Sequence, residues 1–159
     1  MDLGRRGAAI LFGAAAATYL VDRSTKLWAD RALSGRPPIT VIPGILDLRF
    51  TTNSGGAFSI GQSAPWIFAG ATIVASVAIA ATAFRHTGAV TPLALGMILG
   101  GALGNLTDRI ARGPGLSGRV VDFIDFHVWP VFNLADAAIT VAAVLLVVSS
   151  VRRREAGAN

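Results

Sequence analysis

Apolar residues in this chain come in long runs rather than in narrow stripes, and the polar positions collect between the runs. A hydrocarbon core about 30 Å thick takes roughly 20 residues of helix, and four runs approach that length, at about 8–28, 65–84, 90–107 and 128–151. The first is apolar only to Leu20 and must borrow Val21 through Trp28 to span, which draws Asp22, Arg23 and Lys26 toward the membrane interface. The second contains no charge. The third carries Gly96, Gly100 and Gly104 at spacing four, the small-residue stripe that lets helix backbones approach closely. The fourth is apolar except for Asn133 and Asp136 in its first turns, and it ends in Arg152, Arg153 and Arg154.

The segments between the runs read differently. From Pro37 to Ile60, Leu46, Leu48 and Phe50 alternate with Asp47, Arg49 and Thr51 behind the turn signal Pro43-Gly44. That period predicts short strands, a small sheet lying on the membrane surface. A second polar segment, Ala111 to His127, opens with Arg112-Gly113-Pro114-Gly115, a loop signal, and continues into the apolar-acidic stretch Val120 to Phe126.

Composition agrees with the bilayer as solvent. Of 159 residues 53% are hydrophobic and 14% charged, against roughly 25% charged in a soluble domain, and mean hydropathy is +0.60. The net charge of +5 comes with no basic stretch interleaved with aromatics, so no nucleic-acid partner is expected. With no cysteine, disulfides, thiol nucleophiles, thiolate metal sites and Cys-linked lipid anchors are excluded.

Four spans put both termini on one side, and Arg5, Arg6, Arg85 and the triple Arg at 152–154 mark that side as cytoplasmic. The opposite segments carry eight Lys/Arg (Arg23, Lys26, Arg31, Arg36, Arg49, Arg109, Arg112, Arg119) against these six, together with seven acids that can occupy them. The alternative is a first run that is a cleaved leader. It would leave three spans and strand Asp22 to Lys26 at a new N-terminus.

Charged groups in a membrane helix are costly and functional by default. Asp136 has no cation among its sequence neighbours, and Asn133, three positions earlier on its face, offers an amide to orient it. Asp122 and Asp125 lie in an apolar stretch before the fourth run, and either could hang over the surface near Asp136. The plainer alternative is a surface strand with exposed acids. Two carboxyls a few ångströms apart share a proton, so that one can deprotonate a water while the other protonates a carbonyl oxygen and then a leaving amine. Asp108, between Asn105 and Arg109, reads as a brace ionised by Arg109. Asp22 reads as an interfacial ion pair with Lys26, four residues on, or as a polar post beneath the site. His86 and His127 have no metal-ligand spacing. Among the hydroxyls Ser54, Ser59 and Ser117, His127 is the only base on their side.

Asp22-Arg23-Ser24-Thr25-Lys26, Asn53-Ser54-Gly55-Gly56-Ala57-Phe58-Ser59, Gly100 through Arg109, Val120-Val121-Asp122-Phe123 and Phe132-Asn133-Leu134-Ala135-Asp136 resemble, in order, the motifs of the lipoprotein signal peptidase (signal peptidase II) family. The resemblance covers nearly the whole chain. Arg23 stands where the family often has Gln, and Gly56 where a second Ala is common. The resemblance implies an all-α integral membrane protein with four transmembrane helices and a small extracytoplasmic β-sheet cradle, one peptidase domain over 1–159. It implies an aspartyl endopeptidase of the bacterial cytoplasmic membrane, monomeric and free of cofactor and metal. Such an enzyme removes the signal peptide of a diacylglyceryl-modified prolipoprotein before the lipidated cysteine, near the extracytoplasmic face. By resemblance Asp122 and Asp136 are the catalytic pair, which selects Asp122 over Asp125. Asn53, Asn105, Arg109 and Asn133 match supporting or substrate-binding positions, Asp22 a post important for stability, and Asp108 stays a brace. Membrane lipids and globomycin-type inhibitors are the other implied partners.

The rivals are a small proton- or ion-coupled transporter, which predicts polar residues spread along a transmembrane path, and a non-enzymatic lipid-binding scaffold. The acids instead gather at one end of the runs, with nothing polar expected deep in the second and third.

Overall fold

The computed structural model describes residues 2–54, 65–86 and 88–157. In order, helix α1 spans Leu3–Leu33, strands β1 and β2 Ile39–Ile42 and Leu46–Asn53, and helix α2 Pro65–Ala81 with a 3₁₀ turn at Ala83–Arg85. Helix α3 follows at Val90–Ala111, strand β3 at Val120–Asp125 and helix α4 at Leu134–Gly157. The three strands form one antiparallel sheet in the order β1-β2-β3. The Gly55–Ser59 part of the second motif, and Ile60, lie outside the described residues.

Helix α1 shows how the site is built into the fold. Its buried positions are Gly7, Ala8, Leu11, Ala15, Asp22, Lys26, Ala29 and Leu33, which from Ala8 on recur at spacings of three, four and seven, one continuous face. The lower part of that face packs with Ala83 and Leu99, and the upper part with Val121 and Phe123 of β3. Asp22 and Lys26 occupy core positions between these two apolar clusters. They form the ion pair expected from sequence, 2.9 Å apart, and it is part of a buried polar layer.

Helix α3 can lie against α1 because of its glycines. A Cβ at Gly96 or Gly100 would run into the α1 backbone at Leu11 or Ala15, and one at Gly104 would run into the Asp22 carboxylate. The stripe therefore does two things: it closes the helix pair, and at Gly104 it makes the slot for a buried acid. Gly101 faces the other way, where a Cβ would stand 2.9 Å from the Ala135 carbonyl oxygen of α4.

Several boundaries differ from the expectation. Helices α1 and α3 run past 28 and 107, since charged residues facing the polar layer are as helical as the apolar ones before them. Helix α4 starts at Leu134, not near 128. Pro130 disfavours a helical Trp129 before it, and residues 126–132 instead turn back so that Phe132 pairs with Ile124 of β3. Among the described residues only Val90–Ala111 and Leu134–Arg152 are long and apolar enough to cross a bilayer by themselves. The charges of α1 dilute its hydropathy, and the apolar stretch of α2 is shorter, Ala69–Ala81. Nor is α2 free of buried polar groups: Ser76 is buried with an unpartnered hydroxyl.

Candidate active site

Strand β3 decides which acid faces α4. Side chains alternate across a strand, so Asp122 and Asp125, three apart, point to opposite faces. Asp122 is buried, at 2% exposure, and Asn133 donates to its Oδ1 at 2.6 Å. A second amide, from Asn53 on the neighbouring β2, also hydrogen-bonds it. Asp125 instead pairs with Arg49 at 2.5 Å and accepts from the His127 N–H at 2.8 Å. That backbone bond, with Arg49 beside it, holds its pKa below the usual carboxylate value. His127 itself adopts the left-handed conformation, φ 60°. Neither acid is on an exposed strand face.

Asp136 comes to Asp122 through the start of α4. The Asn133 side chain accepts from the Asp136 N–H at 3.0 Å, while the Asp136 carboxylate accepts from the Asn133 N–H at 3.4 Å. This is a reciprocal cap of the first turn. Because Phe132 is pinned to β3, the cap residue is delivered against Asp122, and Asp136 arrives with it. On its other side Asp136 Oδ1 accepts from the Asn105 amide at 2.9 Å. Burial, and then the neighbouring Asp136 carboxylate, push the Asp122 pKa up to about 7. A buried carboxyl beside another, with its pKa moved near neutrality, is poised for proton transfer.

Arg109 is mostly buried and donates to the carbonyls of Ser54 at 3.3 Å and Gly118 at 3.5 Å. It ties the end of β2 to the approach to β3 and faces both carboxyls. It is not the partner of Asp108. The Asp108 carboxylate is fully buried and is met by Arg23 at 2.5 Å, Lys26 at 3.3 Å and Arg112 at 3.4 Å. Consecutive helix positions point about 100° apart, which is why Arg109 serves the site and Asp108 the interior. Asp108 also accepts from the Val121 N–H at 3.2 Å, and Asp22 from the Ala135 N–H at 3.1 Å. Both are braces, each on the backbone just ahead of an acid of the pair.

The other chemistries lose their geometry. His127 lies 3.2 Å from Asp47, and the Ser117 hydroxyl donates to the Pro114 carbonyl. His86 hydrogen-bonds Thr82 at the opposite end of the helices. Ser59 lies outside the described residues. Beside Asp136 a groove of about 500 Å³ opens along α4, walled by Phe126, Val128, Trp129, Phe132 and Val141. Its walls are apolar, and Asp136 lies in its lining.

A family model described as signal peptidase (SPase) II matches residues 14–152. The chain belongs to the signal peptidase II family. It is 40% identical over 145 residues to a lipoprotein signal peptidase of Bifidobacterium longum subsp. infantis, covering 91% of this chain and 79% of that one. To the lipoprotein signal peptidase of Streptomyces coelicolor it is 41% identical over 150 residues, 94% and 74% of the two chains. Two solved structures of bacterial membrane enzymes share its fold. One has TM-score 0.77 at 26% identity, covering 89% of this chain and 87% of the other; the second has TM-score 0.74 at 27% identity, covering 87% and 90%. As a signal peptidase II the chain is a bacterial membrane protein and a protease. The buried polar layer between α1, α3, β3 and α4 is the concentration of buried ionisable groups among its described residues.

Proposed function

We propose that this signal peptidase II is an aspartyl endopeptidase that removes the signal peptide of lipid-modified prolipoproteins, with Asp122 and Asp136 as its catalytic pair. The observation that carries the reading is the pair itself. Two carboxyls on separate elements converge, each is held by an asparagine amide, and one has its pKa raised to about 7. One proton is shared near neutrality. The ionised member takes a proton from a water held between the two, and the hydroxide adds to the scissile carbonyl carbon as the other member protonates its oxygen. Collapse of the tetrahedral intermediate then breaks the C–N bond, and the amine leaves with a proton returned by the pair. Asn53 and Asn133 orient Asp122, Asn105 orients Asp136, and Arg109 supplies positive charge facing both.

The substrate class follows from the named relatives and from the apolar groove beside Asp136, which would take the diacylglyceryl-modified chain before the lipidated cysteine. In this reading the four helices cross the bacterial cytoplasmic membrane as one domain over 1–159. Both termini are cytoplasmic, and the sheet forms a cradle at the extracytoplasmic face. The enzyme works as a monomer, without a metal, and binds globomycin-type inhibitors at the pair. The test is cleavage of a diacylglyceryl-modified prolipoprotein beside the unmodified one, by the purified full-length protein in detergent with EDTA. Cleavage of the lipidated substrate alone supports the assignment, and equal cleavage of both removes the lipid from it. A transporter would need polar groups along a path, but the buried ionisable groups of the described helices gather at one end.

A further inference from the structure

Lys26 takes no part in the chemistry above, yet it is completely buried and its ammonium is a meeting point of the polar layer. Nζ donates to Asn105 Oδ1 at 2.6 Å and stands 2.9 Å from Asp22 Oδ2 and 3.3 Å from Asp108 Oδ2. The contact to Asp22 is a close ion pair without hydrogen-bond alignment. A buried ion pair is weak evidence for stability, since packed apolar residues often serve as well. What Lys26 touches points to a more particular use.

Each of its three partners reaches an acid of the proposed pair. Asp22 holds the N–H of Ala135, the residue before Asp136, and Asp108 holds the N–H of Val121, the residue before Asp122. Asn105 donates to Asp136 and accepts from Asn133 at 3.3 Å, and Asn133 donates to Asp122. An ammonium is a donor only, so Asn105 must turn its oxygen to Lys26 and its NH₂ to Asp136. Without Lys26 the Asn105 oxygen loses its shortest donor and keeps only the longer bond from Asn133, so the amide that orients Asp136 is held less firmly.

We propose that Lys26 is the positioning residue of the pair: its charge fixes Asn105, Asp22 and Asp108 in the orientations that set the spacing of Asp122 and Asp136. The inference rests on the aspartyl reading above. Positioning errors of about 1 Å can cost about 100-fold in rate, and that is the size of effect expected.

The test uses the full-length protein in detergent with a lipidated prolipoprotein, and compares Lys26→Met with wild type. It also compares the charge-balanced pair Asp22→Asn/Lys26→Met with Asp22→Asn, because Lys26→Met alone leaves an unpaired buried carboxylate and can fail to fold. The charge-balanced chain keeps Arg23 and Arg112 on Asp108. In folded protein with a cooperative melt, kcat is expected to fall about 100-fold with KM changed less than about threefold. The charges facing Asp122 are Asp136 from α4, Lys26 from α1 and Arg109 from α3, so losing the lysine should also move the alkaline limb of the kcat/KM profile to higher pH. A merely structural lysine would lower the melting temperature but leave kcat per folded molecule and the limb in place, and that result overturns the proposal. Failure of the aspartyl reading is distinguishable, because Asp122→Asn assayed in parallel would then keep cleaving.

Discussion

Asn133 binds Asp122 and caps the helix of Asp136 with the same side chain. Its Nδ2 donates to the Asp122 carboxylate at 2.6 Å and its Oδ1 accepts the Asp136 N–H at 3.0 Å. One amide thereby couples the strand that carries one acid to the helix that carries the other. Asn133→Ala should lose both bonds, costing about 1 kcal/mol for the cap and lowering kcat about 100-fold through misplacement of the pair. Thermal melting and single-turnover cleavage measure the two effects separately. A variant with a lowered melting temperature and unchanged kcat would leave the coupling without a catalytic role.

Gly104 is required for a different reason from its neighbours. Gly104→Ala pushes a methyl into the Asp22 carboxylate, and overpacking of this kind costs about 1–3 kcal/mol. Gly13→Ala, where a Cβ would have nothing within 4 Å, should be neutral or stabilising. Denaturation of both variants in the same detergent checks the contrast. Equal loss at the two positions would mean that helix flexibility, and not the slot, is what the glycines provide.

The burial of Asp122 has a consequence for stability. In the folded chain it keeps its proton up to about pH 7, whereas its ordinary value is 3.8, so between these the folded state binds more protons than the unfolded state. Stability from this group is therefore complete below 3.8, declines as pH rises, and is fully lost above about 7. Asp122→Asn removes the burden while keeping an isosteric side chain. Its melting temperature should exceed that of wild type at pH 8 and converge with it near pH 4. A variant less stable than wild type at pH 8 would contradict the raised value. By the same proton, wild-type kcat/KM should fall above about pH 7 as the shared proton is lost.

The absence of cysteine makes topology directly measurable. With four crossings, Ser117→Cys labels from the outside of intact cells with an impermeant maleimide, while Phe84→Cys labels only after permeabilisation. Both side chains are exposed. Labelling of both from the same side would remove the third crossing, α3.

The helices and the hairpin were legible in the sequence because long apolar runs and strand alternation each leave a mark in the residue types. The alternation at Leu46–Thr51 and the turn at Pro43-Gly44 do correspond to β1 and β2. What escaped was set by tertiary partners. Parity alone says that Asp122 and Asp125 face opposite ways, but not which of them meets α4; that depends on Phe132 pairing with Ile124, which delivers Asn133 against Asp122. The true start of α4 was signalled by Trp129-Pro130, a boundary that the apolar run concealed. Lys26 was visible as a partner of Asp22, but its reach to Asn105 and Asp108, 79 and 82 positions on, exists only once α1 and α3 lie side by side. Asp108 likewise took cations from α1 and the next turn of α3 rather than from the adjacent Arg109.

The most direct measurement is single-turnover cleavage of a diacylglyceryl-modified prolipoprotein by wild type, Asp122→Asn and Asp136→Asn, each purified and shown to melt cooperatively. The account predicts that wild type removes the signal peptide with EDTA present and that each variant is slower by at least about 1,000-fold, since the pair acts as a unit. Near-normal cleavage by either folded variant would contradict it.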